Sequence, residues 1–178
     1  MMSVLGSIVP TLSVSLSCSV DTFSGKRRDR LQSYARGDRD LMNQPYQILV
    51  VDDEAVIRRT LEILLRRQGY AVWTAADAPE AFKWLREGMF DLLLLDLKLL
   101  GRVSGLDIAE RARAYQPDVA VLILTGSSEL EDTVGDASRP QFETMCKTAS
   151  PQDVLDRVAA LLARAQGLHE RTRNAELG

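Results

Sequence analysis

A chain of 178 residues, 46% hydrophobic and 26% charged, has room for one well-cored domain and is too short for two of ordinary size. Its net charge of -3 combines 22 basic with 25 acidic residues, a balance that selects neither nucleic acid nor an anionic membrane as the main partner. No apolar run approaches the ~20 residues needed to span a bilayer. The two cysteines, Cys18 and Cys146, lack metal-ligand spacing and suit unpaired thiols in a reducing, cytoplasmic setting.

Residues 1–45 read differently from the rest. Met1 to Val20 is apolar and Ser-rich, but no basic residue precedes it and Pro10 interrupts it, so it does not make a secretion signal. Gly25-Lys26-Arg27-Arg28-Asp29-Arg30 and Arg36-Gly37-Asp38-Arg39-Asp40 follow with little periodic apolar content. Such a stretch buries too little surface to offset its ordering entropy. It is expected to be a disordered or non-native leader, with Met42 as the natural translation start.

From Tyr46 the pattern becomes regular. Gln47-Ile48-Leu49-Val50-Val51 is expected to form a strand buried on both faces. After Asp52-Asp53-Glu54, Val56, Ile57, Leu61, Leu64 and Leu65 recur at helical spacing, and Gly69 is the stop signal. Ala71 to Ala75 reads as a second strand. Asp77 is the expected N-cap of a helix through Ala81, Phe82 and Leu85 that ends near Gly88. Leu92-Leu93-Leu94-Leu95, the most apolar run, is expected to be the central strand.

Gly105 precedes a third helix with Leu106, Ile108, Ala109 and Ala112, closed by Pro117. Val119 to Leu124 is a fourth strand. Glu129 to Ser138 has poor helix propensity, with Gly135 and several Asp and Ser residues, so a short, mobile fourth helix is expected there. Phe142 to Cys146 suits a fifth short strand. Ser150 and Pro151 open a last amphipathic helix through Val154, Leu155, Val158, Leu161 and Leu162. The domain is expected to span residues 46–165. Gln166 to Gly178 reads as a polar, solvated tail that includes His169, with no effector following.

This alternation predicts an α/β fold: a doubly wound, five-stranded parallel sheet of (βα)5 type. Right-handed crossovers bring the strands' carboxyl ends to one edge, where such sheets bind ligands. Asp52, Asp53, Asp96, Thr125 and Lys147 all fall at those ends. An isolated Asp there usually caps a helix, and an isolated Lys is usually a solvated charge. Five such residues at successive strand ends are harder to reach by chance. Clustered carboxylates without His or Cys favour a hard cation, and Mg²⁺ fits best. One carboxylate can then attack phosphorus, while the Thr125 hydroxyl and the Lys147 ammonium suit the oxygens of a transferred phosphoryl group.

Val50-Val51-Asp52-Asp53-Glu54, Phe90-Asp91-Leu92-Leu93-Leu94-Leu95-Asp96, Leu124-Thr125-Gly126 and Met145-Cys146-Lys147 together resemble the response-regulator receiver domains. The resemblance runs from about Tyr46 to Ala165 and implies a flavodoxin-like receiver fold. It implies Asp96 as phospho-acceptor, charged by a histidine kinase or histidine phosphotransfer protein. It also implies Mg²⁺ held by Asp52, Asp53, Asp96 and the backbone carbonyl of Lys98. Thr125 would be the switch hydroxyl and Lys147 would pair with phosphoryl oxygens. Lys98 occupies a position where side chains tune hydrolysis. The function implied is a signalling phospho-acceptor rather than an enzyme, with an unidentified downstream protein partner or a phosphorylation-dependent homodimer.

The chain also departs from the family. Leu100 stands where Pro is usual after the acceptor, with one extra residue in the loop. Thr148 replaces the usual Pro after Lys147, so the cis peptide common there would cost about 2.5–4 kcal/mol. The usual switch aromatic falls on Thr144, with Phe142 nearest on the same face, which predicts a non-standard output surface. Two other readings compete with this one. A pseudo-receiver that binds protein without phosphorylation fits the altered output face but not the intact acidic set. An aspartyl-phosphate phosphatase of the haloacid dehalogenase type needs an Asp where Lys98 stands.

Overall fold

The computed structural model describes residues 45–126 and 142–176, with side chains as far as 167 in the last helix. Strands β1 (Gln47–Val51), β2 (Ala71–Ala75), β3 (Leu92–Asp96), β4 (Ala120–Thr125) and β5 (Glu143–Cys146) form one parallel sheet in the order β2-β1-β3-β4-β5. The strand expected at the centre is there: Leu92 through Leu95 are fully buried. Burial on both faces explains the uninterrupted leucines, since each face of a central strand meets a layer of helices.

Strand alternation divides the core in two. Leu49, Val51, Leu93, Leu95, Val121 and Ile123 point to one face. Helices α2 (Ala78–Glu87) and α3 (Gly105–Tyr115) cover it through Ala81, Leu85, Ile108 and Ala112. Ile48, Val50, Leu92, Leu94, Leu122 and Leu124 point to the other. There α1 (Ala55–Arg67) contributes Leu61 and Leu65, and α4 (Pro151–Glu176) contributes Val154, Val158 and Leu162. The two-sided winding predicted from the alternation is present.

Local chemistry sets the helix ends. Gly69 adopts φ +87 and ends α1 in a Schellman arrangement, with Gly69 N–H on the Arg66 carbonyl and Tyr70 N–H on that of Leu65. Asp77 caps α2 by accepting from Glu80 N–H at 2.9 Å. Ser104 and Asp107 cap α3 reciprocally, as Ser150 and Asp153 cap α4. Gln116 is buried after α3, where its side chain accepts from Phe90 N–H at 2.9 Å and donates to Gly88 O at 3.0 Å.

The stretch from Gln166 that reads as a tail continues α4 to Glu176. Ala163, Ala165 and the Arg and Glu residues are strong helix formers, so propensity carries the helix beyond its last core contact, and polarity was no sign of its end. The fifth strand starts at Glu143, one residue later than expected. The expected fourth helix, 129–138, and the leader, 1–45, except its last residue, lie outside the described residues. Among the described residues no helix is long and apolar enough to cross a membrane.

Candidate functional site

The site is built at the carboxyl edge of the sheet. β1 ends at Val51, so the chain leaves the sheet through Asp52 and Asp53, while β3 ends on Asp96 itself. Two backbone hydrogen bonds extend the register past the strand ends: Leu97 N–H to Leu124 O and Lys147 N–H to Thr125 O, both 2.8 Å. They fix Lys147 beside the β4 end and opposite the acidic residues.

Asp52 is completely buried and Asp96 nearly so. Carboxylate oxygens of Asp52, Asp53 and Asp96 lie within 4.8 Å of one another. Lys147 Nζ lies 2.8 Å from Asp96 Oδ2, 3.0 Å from Asp52 Oδ2 and 3.4 Å from Glu54 Oε1. Burial lifts the Asp96 carboxyl above the usual carboxylate range; Lys147 opposes that lift, and the Asp52 charge adds to it. Burial alone would lower the Lys147 ammonium, but its contacts with Asp96 and Asp52 outweigh this and hold it above an ordinary lysine.

The two oxygens of Asp96 have different donors. Lys98 N–H reaches Oδ1 at 3.2 Å and Lys147 reaches Oδ2, so the carboxylate is oriented within the cleft. Asp52 Oδ1 accepts from Glu54 N–H at 2.8 Å. Asp52 Oδ2, although close to Lys147, is buried without a well-directed hydrogen bond. The three clustered carboxylates, one of them with an under-satisfied buried oxygen, make an all-oxygen donor set that fits a hard divalent cation.

Thr125 ends β4 fully buried, its hydroxyl 3.3 Å from Gly126 O. The Lys98 side chain is exposed. Thr144 and Phe142 are half-buried, and the Phe142 ring lies 4.4 Å under the Arg113 guanidinium of α3. The Lys147–Thr148 peptide is trans, as the missing Pro requires.

Three further residues shape the site. Glu54 belongs to the acidic run and reaches Lys147. Arg58 donates from Nη1 to Asp52 O at 2.6 Å. Gly105, the first residue of α3, packs directly on the Asp96 backbone. The Asp-Asp-Glu run hinted at the first; nothing local signals the other two.

The response regulator receiver domain family model matches residues 48–159. The chain belongs to that family. It is 34% identical over 121 residues to the probable transcriptional regulatory protein TcrX of Mycobacterium tuberculosis, covering 68% of this chain and 51% of TcrX. A CheY-like receiver domain protein from Methanospirillum hungatei superposes with a TM-score of 0.64 at 27% identity, covering 70% of this chain and 98% of that one. The response regulator TrrA of Thermotoga maritima, solved in complex with Mg(2+)-BeF, gives 0.56 at 32% identity, covering 65% and 98%. The chain spans about half or less of the length of curated relatives it matches, from 28% to 51% in four of them. This receiver domain is thus a member of the two-component signalling class with the five-stranded fold of its relatives.

Proposed function

We propose that this receiver domain, with residues 46–165 as its functional unit, is a phospho-acceptor switch carrying the phosphoryl group on Asp96. The observation that carries the reading is the clasp on Asp96. Its carboxylate ends the central strand, is oriented by Lys98 N–H and Lys147, and lies within a carboxylate oxygen cluster shared with Asp52 and Asp53.

An Asp96 oxygen attacks the phosphorus of a phosphohistidine on a histidine kinase or phosphotransfer protein. The O–P bond forms as the P–N bond breaks, and the imidazole nitrogen keeps the electron pair and takes up a proton. Asp52, Asp53, Asp96 and the Lys98 backbone carbonyl would hold Mg²⁺, which supplies charge neutralisation to the phosphoryl oxygens. The Mg(2+)-BeF complex of TrrA supports a cation of that kind. Lys147, already 2.8 Å from Asp96, pairs with a phosphoryl oxygen. Thr125 turns its hydroxyl toward the same group. The added charge of about -2 shifts the population of surface conformations, which a partner protein reads through Thr144 and Phe142 on the β5 face. Exposed Lys98 is the side chain placed to tune the lifetime of the acyl phosphate. On this reading the domain is a cytoplasmic signalling component rather than an enzyme, and it reaches a downstream protein or a second copy of itself rather than nucleic acid or membrane.

Intact-protein mass after incubation with Mg²⁺ and acetyl phosphate tests this. A gain of about 80 Da, absent in Asp96→Asn, is expected. No gain in folded protein, with either acetyl phosphate or a phosphorylated histidine phosphotransfer protein, would replace the reading with a phosphorylation-independent binding module.

A further inference from the structure

Arg58 carries a positive charge in the first turn of α1, the end of a helix where the macrodipole disfavours cations. No acidic residue balances it in that turn, and Glu54 at the N-cap makes no side-chain capping bond. Its half-buried side chain turns back along the helix and donates from Nη1 to Asp52 O at 2.6 Å. Its own N–H meanwhile donates to Glu54 O at 3.0 Å, so the guanidinium is anchored to the same helix turn that follows the acidic run.

The Asp52 carbonyl belongs to the peptide joining Asp52 to Asp53, and that peptide is planar. Holding its oxygen fixes the orientation of the Asp53 N–H and the direction in which Asp53 leaves the strand. Two further bonds hold this stretch, but neither holds that peptide oxygen: Asp52 N–H reaches Ala75 O at 3.3 Å, and Glu54 N–H reaches Asp52 Oδ1 at 2.8 Å. We infer that Arg58 is a positioning residue, which locks the Asp52–Asp53 peptide so that both carboxylates converge with Asp96 on a divalent cation. This rests on the proposed cation-holding role of that cluster. Without the guanidinium, the peptide can rotate and the cation site must be ordered during binding, which weakens binding without altering the reacting carboxylate.

Mn²⁺ binding to the unphosphorylated full chain, followed by water-proton relaxation, tests this with Arg58→Met. The expected dissociation constant rises about tenfold, in the range seen when outer-shell partners of a metal site are removed. The maximal rate of phosphorylation by acetyl phosphate at saturating Mg²⁺ is expected to stay within about twofold. Affinity within about twofold of wild type would overturn the inference, as would a fall in maximal rate and stability with affinity unchanged. If Arg58→Met does not fold, Arg58→Gln is read by the same measurements. Wild-type protein that binds no Mn²⁺ would overturn the cation-site reading itself, and the role of Arg58 with it; a variant that binds as wild type overturns only the role of Arg58.

Discussion

Gly105 opens α3 directly against the backbone of Asp96: a β-carbon there would lie 2.1 Å from the Asp96 carbonyl oxygen and 2.9 Å from its carbon. The contact involves main chain, which cannot rotate away as a side chain could. The helix start and the end of the central strand therefore share a space that only hydrogen at Gly105 fits. Gly105→Ala is expected to cost about 1–3 kcal/mol, the overpacking range, and to displace Asp96. A lower urea midpoint together with slower mass gain from acetyl phosphate would bear this out; wild-type values for both would refute it.

Lys147→Met removes the ammonium shared by Asp52 and Asp96. Two buried carboxylates then face each other without compensation, which is expected to destabilise the cation-free protein by up to about 3 kcal/mol. Divalent cation should restore more stability to the variant than to wild type, because no ammonium competes for the cleft. Thermal unfolding in Mg²⁺ and in chelator measures both shifts. Equal Mg²⁺-induced shifts in the two proteins would count against the arrangement.

Gln116 lies far from the acidic cleft along the sheet, yet its amide satisfies two main-chain groups, Phe90 N–H and Gly88 O. Gln116→Leu leaves both buried and unpaired, at an expected cost of about 2–4 kcal/mol. Phosphorylation of the protein that remains folded should proceed at the wild-type rate. Urea titration and the mass assay separate the two effects.

Tyr46 and Tyr70 pack with ring centroids 6.2 Å apart. Burial raises both hydroxyls above their ordinary value of 10.0, and the Asp91 charge raises Tyr46 further. A raised native pKa means that the folded state holds its proton more tightly. The stability it provides is therefore complete below pH 10 and is lost as pH rises through the native pKa. Urea midpoints measured from pH 9 upward should fall more steeply for wild type than for the Tyr46→Phe, Tyr70→Phe double variant. Parallel curves would exclude the pair as the cause.

The two-sided covering of the sheet and its central strand were legible because Leu92–Leu95 and Ile48–Val51 are short apolar runs without alternation, which suit strands covered on both faces. The helix stop at Gly69 and the helix start at Asp77 were legible because their causes are local: a left-handed backbone at one, a side-chain acceptor at the other. The end of α4 was not, since a polar helix that outruns its core looks like a tail. The trans peptide at Lys147 followed from a single missing Pro.

The carboxylate cluster was likewise set by sequence once topology was inferred, because parallel strands must deliver Asp52, Asp53, Asp96 and Lys147 to one edge. Which of those charges touch was decided only in three dimensions. Lys147 reaches Asp52, Asp96 and Glu54 from 51 residues past the acceptor, through a register fixed by main-chain bonds between β4 and β5. Arg58 on the Asp52 carbonyl and Gly105 on the Asp96 carbonyl are contacts between side chain or α-carbon and main chain. Patterns of residue type encode burial and periodicity; they carry no record of where a backbone oxygen will point. That direction comes from the packing of α1 and α3 against the sheet.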